Sequence, residues 1–185
     1  YRRHGKIESP LSEEEFLRAM QKGHFAKPKH RAFVALLYYT GVRKTEALRA
    51  KREQFRLEGN QIIFDVGKRL KHGIQTPALN IPLSAPYAEE IQKAVEKTKK
   101  GQRVFPYTDV TAYNIVRRAF GSYPHHLRLS RITNFFKEGF SIAEVRNWTG
   151  LTLKALDYYV GLVSVKKMGE SLAKTDREMP ENRPA

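Results

Sequence analysis

Four short stretches of this sequence set a charged or hydroxyl-bearing side chain beside apolar residues. In "YYTGVRKTEALRA" (Tyr38 to Ala50) the guanidinium of Arg43 follows a Thr-Gly break, with Glu46 three residues further on. Positions i and i+3 share a helix face, so Glu46 can brace Arg43; a plain surface ion pair fits the same spacing. In "VGKRLKHG" Lys68 lies at a basic loop tip, where a lysine can reach a partner held against the domain body or simply be solvated. In "PHHLRLSRITNFF" His125 and Arg128 are three apart. Such a pair at a helix start can aim two donors at one phosphate, helped by the partial positive charge of the helix N-terminus. Either His125 or His126 fits equally well as a packed or exposed side chain. In "GLTLKALDYYVGL" the adjacent Tyr158 and Tyr159 suit packing when considered alone.

The elements that must position these residues can be read from the flanking pattern. Ser12-Glu13-Glu14-Glu15 has the form of a capping box and predicts a short amphipathic helix ending near Gly23. "RAFVALL" (Arg31 to Leu37) lies in a predicted buried helix over 29–39, and a further short helix is expected over 45–49. The period then changes. "NQIIFDV" (Asn60 to Val66) and "TPALNIPL" (Thr76 to Leu83) read as two strands joined by a long basic tip that carries Lys68. Helical patterns return over 86–99, 110–120, 126–137, 142–148 and 153–160, with one more at 164–174. The last residues, "TDREMPENRPA", read as a disordered tail. The fold class expected is mainly α with a small antiparallel β-hairpin or sheet (α+β). One domain spans 1–163, followed by a C-terminal helix and tail over 164–185.

Composition narrows the partners. The 185 residues carry 34 Lys and Arg against 19 Asp and Glu, a net charge of +15 and a pI near 10.1. Such an excess favours a polyanion, because each neutralised phosphate releases counterions; nucleic acid is a better fit than an anionic membrane. The absence of cysteine excludes disulfides, thiolate zinc sites and a cysteine nucleophile. No apolar run approaches the roughly 20 residues of a membrane span, and the opening "YRRHGKIESP" has no secretory apolar region. The chain starts with Tyr and is expected to be a fragment of a longer protein.

Taken in order, Arg43, Lys68, His125-x-x-Arg128 and the tyrosine pair resemble the catalytic domain of the tyrosine recombinase, or phage-type integrase, family. "TGVRKTEAL" is similar to that family's first box, Thr-Gly-x-Arg-x-x-Glu-Leu, and "VGKRLKHGIQTPALNIPL" to its lysine-bearing hairpin. "HHLRLSRIT" is similar to the second box, His-x-Leu-Arg-His-x-x-x-Thr, and "IAEVRNWTGLTLKALDYYV" to the segment that delivers the nucleophile. The likeness runs from about Ser9 to Val163.

The resemblance implies that Arg43 and Arg128 clamp a scissile phosphate, that Lys68 is the general acid, and that His125 is the second-box histidine. Tyr159 matches the nucleophile, with Tyr158 as the alternative, and Glu46 is a supporting residue. Two positions depart from the pattern: the residue after Arg128 is Leu129, and Leu151 stands at the third-box His or Trp position. Trp148, three residues earlier, is the candidate to fill that space.

The implied activity is site-specific cleavage and rejoining of double-stranded DNA through a 3′-phosphotyrosine, with no metal, ATP or other cofactor. A homo-tetramer on DNA is implied, with a monomer or weak dimer alone, no membrane partner, and a cytoplasmic location on nucleoid or host DNA. The departures resemble archaeal viral or plasmid integrases more than the bacterial chromosome-dimer resolvases. The helical N-terminal core-binding domain of such enzymes is expected to lie outside the fragment. Type IB topoisomerase-like relaxation and a non-catalytic DNA-binding relic are the alternatives.

Overall fold

The computed structural model describes residues 9–23, 25–67, 78–161 and 163. Lys68 and the expected hairpin tip beyond it, the predicted helix over 164–174 and the tail lie outside the described residues.

Helix α1 (Glu13–Lys22) starts where the sequence predicts. The Ser12 hydroxyl accepts the Glu15 N–H at 3.2 Å, and the Glu15 carboxylate accepts the Ser12 N–H at 2.7 Å. Phe16 and Met20, one turn apart, form its buried face. Helix α2 (Pro28–Thr40) is the centre of the fold: every residue from Ala32 to Tyr38 is buried. It packs against α3 (Lys44–Arg49), α4 (Ala88–Glu96), α5 (Asp109–Phe120) and α6 (Pro124–Lys137). A helix apolar on all sides needs neighbours on all sides, which explains why "AFVALL" (Ala32 to Leu37) carries no polar face.

A three-stranded antiparallel sheet follows α3, in the order β1 (Phe55–Glu58), β2 (Gln61–Phe64), β3 (Leu79–Pro82). The sequence reading expected only the last two. β1, "FRLE", buries Phe55 alone and lacks the alternation that marks a half-buried strand. It is held by pairing with β2, where Phe55 faces Phe64 with the rings stacked at 4.4 Å.

Helix α7 (Ile142–Thr149) and a further helical stretch over 153–161 complete the described chain. Together with α6 (Pro124–Lys137) they build a second, smaller cluster of buried side chains from Leu129, Ile132, Phe135, Val145, Leu156 and Tyr159. Helix α6 begins at Pro124, two residues before the sequence reading had it. Proline suits the first helical position, since its φ is already set and its missing N–H has no intrahelical acceptor there. The earlier start puts His125 inside the first turn, with Arg128 one turn along the same face.

Candidate active site

A cleft of about 610 Å³ opens where the ends of α2 and α7 meet the start of α6. Its lining includes Arg43, His125, Arg128, Leu151 and Tyr159, which come from three separate stretches of the sequence.

Arg128 is 3% exposed, a guanidinium taken almost wholly out of bulk water. Burying a charge is costly unless hydrogen bonds compensate it. Here Nη1 donates to the Gly41 carbonyl and Nη2 to the Thr149 carbonyl at 3.3 Å. Gly41 follows the last residue of α2, and Thr149 is the last of α7. Helix C-termini carry partial negative charge and unsatisfied carbonyls, so both ends favour a cation.

Arg43 sits differently. It is the residue at which α3 begins, and its side chain is half exposed. Glu46, three residues into the helix, accepts the Arg43 backbone N–H at 2.7 Å with one carboxylate oxygen and Nη1 at 3.0 Å with the other. One side chain therefore caps α3 and orients the guanidinium. The neighbouring Lys44 also lines the cleft and is ion-paired to Asp109 in the first turn of α5.

His125 keeps contact with solvent but has its pKa pushed down. Desolvation is the main cause, followed by the positive charges of Arg128 and Arg43 and by His126. The ring is thus held neutral at pH 7 and able to accept a proton. His126 plays a different part. It is buried, with Nδ1 2.8 Å from the Ser122 hydroxyl and Nε2 2.9 Å from the Ser9 carbonyl. A carbonyl can only accept, so Nε2 carries a proton, and His126 ties α6 to the segment before α1.

Tyr159 is 6% exposed, whereas Tyr158 is 50% exposed and does not line the cleft. The phenol pKa of Tyr159 is raised, first by burial; Arg128 and Arg43 pull it down and Tyr158 pushes it up. Its ring packs in the cluster with Leu129 and Leu156. Leu151 reaches the cleft, but Trp148 does not. The Trp148 indole N–H donates to the Thr40 carbonyl at 2.9 Å and its ring meets Phe135 edge-on at 5.6 Å. Trp148 therefore fastens α7 to α2.

The sequence profile of the phage integrase family matches residues 10–153. The chain belongs to the phage integrase family. The matched span includes Arg43, Lys68, His125 and Arg128 and stops short of the tyrosine pair. A TnP I resolvase of Bacillus thuringiensis is 31% identical over 153 residues, which is 76% of this chain and 51% of the relative. Thus this integrase-family chain spans about half the length of the curated relative it matches.

Among solved structures, XerH site-specific recombinase bound to palindromic difH substrate, a post-cleavage complex, superposes with a TM-score of 0.69 at 22% identity. That match covers 92% of this chain and 54% of XerH. A lambda integrase tetramer bound to a Holliday junction gives 0.53 at 18% identity, over 80% and 49% of the two chains. These likenesses establish the recombinase catalytic-domain fold: mostly helical, with a small antiparallel sheet.

Of the predicted site residues of this family member, Arg43, His125, Arg128, Leu151 and Tyr159 share one cleft, and Glu46 supports it. Lys68 lies outside the described residues. Sequence reasoning missed Lys44, Tyr113 and Tyr123 in the cleft wall, and the two backbone carbonyls that hold Arg128. Lys44 and Tyr123 adjoin recognised motifs, so their proximity was a usable signal. Tyr113 lies mid-helix in α5 and offered none.

Proposed function

We propose that the chain breaks and rejoins strands of double-stranded DNA through a covalent 3′-phosphotyrosine on Tyr159, as the catalytic part of a site-specific recombinase. The observation that carries this reading is the convergence of Arg43, His125, Arg128 and Tyr159 on one cleft. A phosphodiester repels nucleophiles, and attack adds charge to its non-bridging oxygens. Two permanently protonated forked donors answer both problems, each preorganised donor being worth on the order of 3 kcal/mol in the transition state.

Tyr159 Oη attacks phosphorus while its proton passes to neutral His125. The bond from phosphorus to the 5′ oxygen breaks, and Lys68 supplies the proton that makes the leaving 5′ hydroxyl neutral. The phosphotyrosine retains the energy of the broken ester, so attack by a 5′ hydroxyl re-forms a strand and returns the proton without ATP. No step calls for a metal ion. Exchange between two sites asks for several protomers on DNA, which is why assembly as a homo-tetramer belongs to the proposal, with a monomer or weak dimer in its absence. No helix of the described residues is long and apolar enough to cross a membrane, and the proposed location is on DNA in the cytoplasm.

The test is covalent trapping on a nicked suicide duplex. Tyr159→Phe is expected to abolish the protein–DNA adduct and leave DNA binding within about twofold, since only the nucleophilic oxygen is lost. An adduct that survives in Tyr159→Phe and vanishes in Tyr158→Phe would move the nucleophile by one residue. The same preparation, given a supercoiled plasmid carrying two sites, separates strand exchange from simple relaxation. No adduct with any substrate would return the chain to the non-catalytic DNA-binding alternative.

A further inference from the structure

The two helix ends that hold Arg128 are built alike. α2 ends in Thr40-Gly41 and α7 in Thr149-Gly150, with both glycines left-handed at φ 61° and 63°. In each, the threonine hydroxyl donates to the carbonyl four residues back, Leu36 at 2.5 Å and Val145 at 2.7 Å. It also accepts the N–H two residues on, Val42 at 3.4 Å and Leu151 at 3.3 Å. Val42 and Leu151 both line the cleft. Each end then offers Arg128 a carbonyl, from Gly41 and from Thr149 itself. The Trp148 indole clasps the two ends together through the Thr40 carbonyl.

Geometry gives the hydroxyls a task. A helix-terminal carbonyl is aimed by the turn that ends the helix. Each glycine N–H closes that turn onto the carbonyl four residues back, Leu37 at 3.0 Å and Arg146 at 2.8 Å, and the chain beyond the left-handed glycine is what remains to be held. A hydroxyl bonded on both sides of the glycine fixes it. At α2 the surrounding core adds restraint, since this helix is buried along most of its length. α7 has eight residues, of which only Val145 and Thr149 are buried. Its end depends more on the hydroxyl.

We propose that Thr149 is a positioning residue for Arg128: its hydroxyl locks the α7 terminus so that the Thr149 carbonyl holds the guanidinium aimed into the cleft. This role rests on the phosphate-clamp reading of Arg128 above. Thr149→Val keeps the shape and removes the hydroxyl, Thr149→Ala removes it by truncation, and Thr149→Ser retains it.

Two measurements test the role. The first is single-turnover adduct formation on a suicide duplex, with the scissile phosphate either native or replaced by a neutral methylphosphonate. On the native phosphate, Thr149→Val and Thr149→Ala should be slower by about 10- to 100-fold, the scale of a 1 Å misplacement, while Thr149→Ser recovers most of the rate. On the methylphosphonate, which carries no charge for Arg128 to neutralise, the gap to wild type should close. Equal slowing on both substrates would mean a general structural defect and would overturn the proposal, as would an unchanged rate.

The second measurement needs no catalysis. Arg128 is one of the charges that hold His125 low, so an NMR titration of the His125 ring reports where the guanidinium sits. The midpoint should rise in the hydroxyl-free variants and match wild type in Thr149→Ser; a midpoint unmoved by loss of the hydroxyl overturns the proposal. If wild type forms no adduct with either substrate, the phosphate-clamp reading fails, and the titration still decides whether Thr149 positions Arg128.

Discussion

Arg43 and Arg128 carry the same charge in opposite settings, and the difference predicts how each responds to lysine. Arg128 is buried and spends its planar fork bridging two carbonyls. An ammonium on a flexible stem cannot reproduce that bridge. Arg128→Lys should therefore lower the melting temperature and cut single-turnover adduct formation by about 10²- to 10³-fold, the usual loss for one preorganised donor. Arg43 is half exposed and paired with Glu46. Exposed pairs contribute about 0–1 kcal/mol, so Arg43→Lys should leave the melting temperature nearly unchanged and act on the cleavage rate alone. Paired melts and single-turnover assays read both outcomes.

Histidine sets the pH response. With its folded pKa held below 6.5, His125 binds protons more weakly folded than unfolded. Its contribution to stability is full above the unfolded value, and is lost as pH falls from there through the folded value. His30 is held low too, by burial first and then by Lys27 and Arg118. His125→Gln should thus flatten part of the decline in melting temperature below pH 6.5, and a melt series over pH 5–7.5 checks it. Arg43, His125 and Arg128 were legible because motif spacing survives in one dimension. The carbonyls of Gly41 and Thr149 belong to the backbone, so no residue type announces them.

Elements decide what the residues can do, and the end of α2 shows how. Gly41 is left-handed, and a Cβ there would meet only Arg131 side-chain atoms at 3.7 Å, an ordinary contact. Backbone strain is then the main cost of Gly41→Ala, about 1–2 kcal/mol. A turn that relaxes that strain also swings the carbonyl that holds Arg128. Ser12→Ala removes the α1 cap at a similar cost of about 1 kcal/mol. Matched by denaturation, the two variants should part in single-turnover cleavage: Gly41→Ala falls below wild type and Ser12→Ala does not. Equal rates would break the link from the end of α2 to the cleft. Helices with caps and apolar faces, such as α1 and α2, were readable because those signals are local. β1 was not, because an edge strand with one buried residue takes its conformation from its partner β2. The start of α6 is hard to read because "PHH" offers no capping side chain, and only proline's fixed φ marks the first turn.

At the scale of the whole molecule, the charge excess and the buried Arg128 guanidinium make different demands on salt. The +15 net charge comes from 34 basic and 19 acidic side chains. Several of the acids are already committed, Glu90 to Arg31, Glu138 to Arg131 and Asp109 to Lys44. The remaining cations present a field that gathers a polyanion with little regard to its sequence. Binding of duplex DNA should weaken steeply with ionic strength, with log K falling by about 0.9 per phosphate contacted for each unit of log salt. Arg128 is shielded from that screening by burial, since counterions act over about 8–10 Å of solvent and reach buried charges weakly. Once DNA saturates the protein, the single-turnover cleavage rate should therefore change far less with salt than the affinity does. Titrations and saturating-DNA cleavage at 50, 100 and 200 mM salt separate the two quantities. A cleavage rate at saturation that declined as steeply as the affinity would put the decisive charge on the half-exposed Arg43 and not on the buried Arg128.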